Sequence, residues 1–358
     1  MLIFRQLIDP TSSTYTYILA DANTREAVII DAVFEQADRD LALLNELGLQ
    51  LKFIIETHVH ADHVTGAALL RRRSGAEICV SAASQAMGAD RALEAGDTIS
   101  FGARTLRVLP TPGHTHGCVS YALDDDSMVF TGDALLIRGC GRTDFQQGSP
   151  QTLFESVHSQ IFSLPDTYTI YPGHDYKGLT ATSVAEEKMY NPRLGGNVLK
   201  DDFVGYMSNL GLAHPKQMDV AVPANMRCGE PREEAANMAA PDWAPLTYTF
   251  AGIYEVQPHW LEEHAGQVQI VDVRGEEEFN GILGHIQGAK LLPLSELEAR
   301  ATELDHGQPI ISVCRSGARS AQATVLLRKQ GFANVANLSG GMLSWRAQRF
   351  SVEGNAPE

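Results

Sequence analysis

The chain alternates short apolar runs with amphipathic stretches from its first residues. TYTYILAD (14–21) and AVIID (27–31) read as strands, their apolar runs being too short for helices. EQADRDLALLNELG (35–48) repeats apolar residues at helical spacing and stops at Gly48, a residue suited to the left-handed turn that ends a helix. LKFIIE (51–56) predicts a buried strand, VTGAALLRRRSG (64–75) a helix, and RTLRVLP (104–110), CVSYALD (118–124) and SMVFTGD (127–133) further strands. PQTLFESVHSQIFSL (150–164) has helical period and precedes the strand-like TYTIY (167–171). Strand and helix thus alternate to about residue 190, an α/β pattern. Between Asn191 and Pro245 the pattern weakens and prolines accumulate, which predicts a closing segment and a linker. A second α/β unit follows, with strands QVQIVDV (267–273), KLLPL (290–294), PIISV (309–313) and NVANL (334–338), and a helix over ARSAQATVLLRKQGF (318–332). The expected organisation is a first domain over 1–240, a linker over 241–251 and a second domain over 252–358.

At 358 residues and 44% hydrophobic, the chain can fill two cores without metals or disulfides as staples. Its 28 Lys+Arg against 44 Asp+Glu give a net charge of −16, which argues against nucleic acid or an anionic membrane as partner. No apolar run approaches the roughly 20 residues of a membrane span, and MLIFRQLIDP does not read as a secretory signal. Five cysteines without a CxxC pair predict a reduced, cytoplasmic protein. Cys79, Cys118, Cys140 and Cys228 are expected to be inert packing residues.

Chemistry concentrates in Thr57-His58-Val59-His60-Ala61-Asp62-His63, directly after the strand LKFIIE. Later strand ends add His114 in TPGHTHG, Asp133 in FTGD and His174 in YPGHD, each beside a glycine that allows close backbone approach. A lone histidine is usually a hydrogen-bonded core or surface residue. This set, repeated at four strand ends, points to a metal centre.

These residues resemble the metallo-β-lactamase superfamily, whose hallmark is H-x-H-x-D-H with a later His, Asp and His; the resemblance implies an αββα sandwich over about residues 1–240. Within it, RGCGRTDFQQG, YPGHDYKG, NPRL and VPANMRCG are similar to the persulfide dioxygenase family, with the thioesterase glyoxalase II as near relative. That likeness implies one non-haem Fe(II) on His58, His114 and Asp133, with glutathione persulfide as substrate. Two imidazoles and one carboxylate leave open positions on iron, the arrangement of non-haem oxygenases. His60, Asp62, His63 and His174 would then orient ligands and bound water. In hydrolase relatives the same four serve a second metal, so a dinuclear zinc glutathione thioesterase stays open. For glutathione, Arg142, Tyr176, Lys177 and Arg227 are the expected contacts, since arginine matches a carboxylate bidentately.

In the second domain the strand PIISV ends at Cys314, and Arg315-Ser316-Gly317-Ala318-Arg319-Ser320 opens a helix. Inward amides at the helix start, with Arg315 and Arg319, would stabilise a thiolate or persulfide. VDVR (271–274), GHIQGAKLLPL (284–294), CRSGARS and LSGGMLSW (338–345) resemble a single-domain rhodanese, an α/β fold with a parallel sheet. The resemblance makes Cys314 the persulfide carrier, with Asp272 and Arg274 orienting the loop. A rhodanese-fold phosphatase would need arginine at position 320, where this chain has serine.

The two halves together look like a persulfide dioxygenase–rhodanese fusion that oxidises glutathione persulfide with O₂ to sulfite and glutathione. The rhodanese would exchange sulfur between thiosulfate and glutathione. The rival readings are the two-zinc thioesterase with a rhodanese appendage, and a second domain that only binds sulfur or docks. The rhodanese step would make glutathione persulfide from thiosulfate and glutathione, releasing sulfite, or run the reverse, and a homo-oligomer is left open.

Overall fold

The computed structural model describes residues 1–213, 215, 217–230 and 241–354. The chain divides into two compact units, Met1–Pro231 and Arg232–Glu358; the domain boundary expected at residue 240 lies outside the described residues.

In the first unit β1 (Leu2–Asp9), β2 (Thr14–Asp21), β3 (Glu26–Ile30), β4 (Gln50–Ile55), β5 (Glu77–Ser81) and β6 (Arg91–Leu93) form a sheet in that order. β1 to β3 pair antiparallel, and from β3 onward the pairs are parallel. Parallel pairing needs long crossovers, which α1 (Ala37–Glu46) and α2 (Ala67–Ser74) supply. The first ends as the sequence predicts, with Gly48 (φ +63°) in the left-handed region, and Gly75 (φ +75°) ends the second in the same way.

The second sheet runs β7 (Thr98–Phe101), β8 (Arg104–Pro110), β9 (Val119–Leu123), β10 (Met128–Gly132), β11 (Thr169–Pro172) and β12 (Thr182–Ser183). It is antiparallel except at β10–β11, whose crossover carries α3 (Pro150–Ser156). Ser149 caps α3 by accepting from the Thr152 N–H, and Pro150 takes the first turn, where its missing N–H costs nothing.

Tyr17, Leu19, Val28, Ile30 and Ile55 share one buried cluster with Ile99, Leu106, Val108, Tyr121 and Phe130, so the sheets lie face to face. α2 covers the outer face of the first sheet against β4 and β5. The outer face of the second buries Val129 and Ile170 against Leu153 of α3 and Phe203 and Met207 of α5 (Lys200–Ser208), which follows α4 (Val184–Tyr190). The layers are αββα, as the resemblance implies. All eight residues of β2 are buried, the polar Thr14, Thr16 and Asp21 included.

The stretch after Asn191 is more ordered than its sequence suggests: it holds α5 and α6 (Met218–Asn225). α6 carries Pro223 and buries only Ala221 and Asn225, so its apolar period is faint. No helix among the described residues is long and apolar enough to cross a membrane.

The second unit contains β13 (Thr247–Tyr248), β14 (Tyr254–Val256), α7 (Pro258–His264), β15 (Gln269–Asp272), α8 (Glu276–Phe279), β16 (Lys290–Leu291), α9 (Leu297–Arg300), β17 (Ile310–Val313), α10 (Ala318–Lys329), β18 (Val335–Leu338) and α11 (Gly341–Ala347). Its sheet runs β13-β14-β18-β17-β15-β16. The sheet was expected to be parallel, but it is mixed: β14 to β16 are parallel and β13 is antiparallel to β14. The turn between them closes through Gly252 (φ +83°) donating to Thr249 O, and so short a connection can only reverse the chain. Ile310 and Val271 face one core with Leu327 of α10, while Ile311 and Val313 face the other with Met342 and Trp345 of α11.

Candidate metal centre and sulfur-transfer loop

The metal-ligand types leave the strands at one edge of the sandwich: His58 to His63 after β4, His114 after β8, Asp133 after β10 and His174 after β11. His58, His114 and Asp133 each offer a ligand atom within 4.8 Å of the others. His114 Nε2 lies 3.6 Å from Asp133 Oδ2, and the His58 and His114 rings stand at 83°. Glycines make this approach feasible: a Cβ on Gly141 would lie 2.7 Å from His114 Nδ1, and one on Gly173 2.7 Å from Asp133 Oδ1.

Outer hydrogen bonds fix which nitrogen faces the centre. His114 Nδ1 donates to Arg142 O at 2.6 Å. The Thr57 hydroxyl gives its proton to Asp31 Oδ2 (2.7 Å), so the 2.9 Å contact with His58 Nδ1 has the imidazole as donor. Both Nε2 lone pairs are thereby left for a ligand role. Burial, with neighbouring histidines, pushes His58 well below the usual imidazole range, and burial also lowers His114; neutral rings are what a metal requires. Burial opposes the Asp133 charge, but His174, His114 and His58 outweigh it and hold the carboxyl low.

The other four candidates form a second layer. His174 donates through Nδ1 to Asp133 Oδ1 at 2.6 Å, and its Nε2 lies 3.0 Å from Asp62 Oδ2. Burial works against a charged ring there, yet Asp133 and Asp62 raise His174 well above its ordinary value. His63 Nδ1 lies 3.0 Å from the same Asp62 oxygen. His60 turns Nε2 toward Asp31 (3.2 Å) and Glu56 (3.5 Å), two buried carboxylates that, against burial, push it up to about 10. His60, Asp62 and His63 also lie within 4.8 Å of one another, as do Asp31, Glu56 and His60. His60 Nδ1 and His63 Nε2 are buried without a hydrogen bond among the described residues.

A cleft opens on the first trio and is lined also by Cys140, Arg142, Tyr176, Lys177 and Arg193. Tyr176 stacks on His174 with the rings 6.1 Å apart and 6° from parallel. Arg142 is occupied: it grips Asp144 through Nε and Nη2 at 2.6 Å each and donates to Leu212 O and Ala213 O. Arg227 is not brought to the cleft; it is exposed after α6, its carbonyl beside Gly88. Arg193, which sequence reasoning did not single out within NPRL, lines the cleft with no carboxylate partner among the described residues, and so does Lys177. Arg193 donates to Cys140 O at 3.2 Å and lies over Tyr206.

The cysteines of this unit are buried. Burial pushes Cys79 and Cys118 up to about 12, and Cys140 and Cys228 to about 11. Cys228 lines a separate small cavity behind His58 and His60 rather than the cleft.

In the second unit Cys314 lies at the end of β17, fully buried, and its Sγ accepts from the Gly317 N–H and the Ser320 hydroxyl at 3.2 Å each. The loop carbonyls are drawn outward: Met342 N–H donates to Cys314 O and Leu343 N–H to Arg315 O, both at 2.9 Å. Only glycine fits at 341, where a Cβ would lie 2.4 Å from Cys314 O. Asp272 and Arg274 form a fully buried bidentate pair, and Arg274 Nη1 reaches the Glu278 carbonyl. Glu278 in turn binds Arg319 at 2.6 and 2.8 Å, so that arginine is neutralised by a carboxylate that sequence reasoning did not anticipate. Arg315 is exposed, with no acidic partner among the described residues.

The sequence model of the metallo-β-lactamase superfamily matches residues 9–174, and that of the rhodanese-like domain matches 257–348. The mitochondrial persulfide dioxygenase ETHE1 of Bos taurus is 54% identical over 229 residues, 64% of this chain and 89% of that protein. The crystal structure of ETHE1 from Myxococcus xanthus is 51% identical, with a TM-score of 0.62 over 64% of this chain and all (100%) of that one. A metallo-β-lactamase from Staphylococcus aureus shares the fold over 95% of this chain and 98% of its own, with a TM-score of 0.63 at 24% identity.

Proposed function

The chain belongs to the persulfide dioxygenase family of the metallo-β-lactamase superfamily and carries a C-terminal rhodanese-like domain, and on that premise we propose the following reaction pair. At the metal centre, glutathione persulfide, O₂ and water give sulfite, glutathione and two protons. At Cys314, thiosulfate and glutathione give glutathione persulfide and sulfite, so the second site feeds the first. Covalent linkage raises the effective concentration of the shared intermediate. The five unpaired cysteines fit the cytoplasmic location we assign.

The observation that carries the metal reading is the separation of roles among the ligand types. His58, His114 and Asp133 turn free ligand atoms to one point, while both nitrogens of His174 already face carboxylates. A single iron(II) bound by that trio supplies the dioxygen chemistry that side chains lack. Arg142 O and Thr57 keep the two rings in the ligating tautomer, and His174 holds Asp133 so that Oδ2 faces His114. Arg193 and Lys177, which line the cleft with no carboxylate partner among the described residues, are the cations available for the two glutathione carboxylates, and Arg193 takes the role expected of Arg227. Arg142 shapes the cleft wall.

At the second site Gly317 and Ser320 hold the Cys314 sulfur, and Arg315 offers its charge to thiosulfate. Cys314 displaces sulfite from thiosulfate and then hands its outer sulfur to the glutathione thiolate.

The dinuclear zinc thioesterase keeps one observation in its favour, the buried His60 Nδ1 and His63 Nε2, which have no hydrogen bond among the described residues. Metal analysis with an oxygen electrode decides between the two. One iron per chain with O₂ uptake on glutathione persulfide is the expected result; two tightly held zinc ions in the active protein would overturn it.

A further inference from the structure

Thr14 opens β2 and is fully buried, and nothing in the reactions above requires it. Its backbone is pinned at the centre: it forms an isolated antiparallel bridge with His174, and the Tyr15 N–H donates to Gly173 O at 2.8 Å. Two would-be ligand atoms of a second cation converge on its hydroxyl oxygen, Asp62 Oδ2 at 3.1 Å and His174 Nε2 at 3.0 Å, and His63 Nδ1 lies 3.2 Å from it. Ser12 Oγ also lies 2.7 Å from the Thr14 hydroxyl oxygen. A zinc ion would need its oxygen and nitrogen ligands at about 2.0–2.2 Å. Groups arranged around an oxygen at hydrogen-bond distance cannot close to that until the oxygen leaves. They also bond one another, since Asp62 Oδ2 lies 3.0 Å from both His63 Nδ1 and His174 Nε2.

We propose that the Thr14 hydroxyl keeps the centre mononuclear, by engaging Asp62 Oδ2 and His174 Nε2, two ligand atoms that a second cation would need. The inference rests on the single-iron reading above. It makes Thr14 a residue that selects oxygenase over two-metal hydrolase geometry through metal count. The trio His60, Asp62 and His63 draws on two of the same side chains, so release of Thr14 would loosen that set as well.

The test counts metal. Iron-loaded full-length protein is offered excess Zn²⁺, desalted and analysed for both elements. Wild type and Thr14→Ser should hold one ion per chain. Thr14→Ala should hold two, because the space is vacated, and Thr14→Val should hold one, because its methyl refills it. Thr14→Ala remaining at one ion would overturn the role of Thr14 and leave the single-iron reading intact. Two ions in wild type would overturn the single-iron reading itself. Ring ¹⁵N spectra of His63 and His174 in wild type need no variant. Under zinc titration both should stay unchanged, and a metal-bound shift in either would sink the proposal.

Discussion

Ser320 Oγ lies 3.2 Å from Cys314 Sγ, on the first turn of the helix that the cysteine loop opens. With the Gly317 N–H, it is one of two donors to that sulfur among the described residues. Hydrogen bonds to charged groups contribute about 1.5–3 kcal/mol. Ser320→Ala should therefore lower kcat/KM for sulfur transfer from thiosulfate by roughly ten- to a hundredfold. Steady-state assays with thiosulfate and glutathione measure this, and an unchanged rate would remove Ser320 from the site.

Cys314→Ser should reduce sulfur transfer to background and leave oxidation of added glutathione persulfide nearly unaffected, because it changes none of the proposed metal ligands. The telling assay supplies thiosulfate plus glutathione and follows O₂. Wild type should consume it and the variant should not; substantial uptake by the variant would mean that another thiol carries the sulfur.

The converse separation comes from His114→Ala. It removes one of the three proposed ligands, so the protein should lose its iron and its O₂ uptake while sulfur transfer persists. Elemental analysis and both assays on one preparation check this.

Within the cleft, Arg193→Ala should raise KM for glutathione persulfide about tenfold or more, the loss of a charge-assisted contact of about 1.5–3 kcal/mol. Exposed Arg227, away from the cleft, should be replaceable by alanine without a change in KM. Equal effects of the two substitutions would show that the carboxylates are bound elsewhere.

Asp40 makes a prediction about pH. Burial raises its carboxyl to about 6, only partly offset by Arg39, and Oδ2 has no hydrogen bond among the described residues. Because the folded value lies above the unfolded one, near 3.9, its stabilising contribution is complete below about pH 4. That contribution is lost as pH rises through about 6. Asp40→Asn should therefore unfold at higher temperature than wild type at pH 8, by roughly 1–3 kcal/mol, with the gap closing toward pH 4. Thermal melts across that range test it, and a gap independent of pH would contradict the assignment.

Much of this protein is determined locally and can be read directly from the chain. Short apolar runs such as AVIID mark buried strands, and Gly48 marks a helix end. His58 to His63 announce a metal centre because so many ligand types at a strand end have no common structural use. Cys314 stands out in the same way, through a glycine and two arginines at a helix start. The tertiary structure decided what depends on partners far apart in sequence. Arg142 and Arg193 look alike in the chain, yet Asp144 and two carbonyls occupy the first, while the second faces the cleft with no carboxylate partner among the described residues. Arg319 is claimed by Glu278, 41 residues away, and His174 by Asp62, 112 residues away. Thr14 has no motif to advertise it, and its place among Asp62, His63 and His174 exists only because β2 meets the end of β11. Residue type sets what a side chain can bond, but packing sets which partner reaches it first, and the free groups left over define the site.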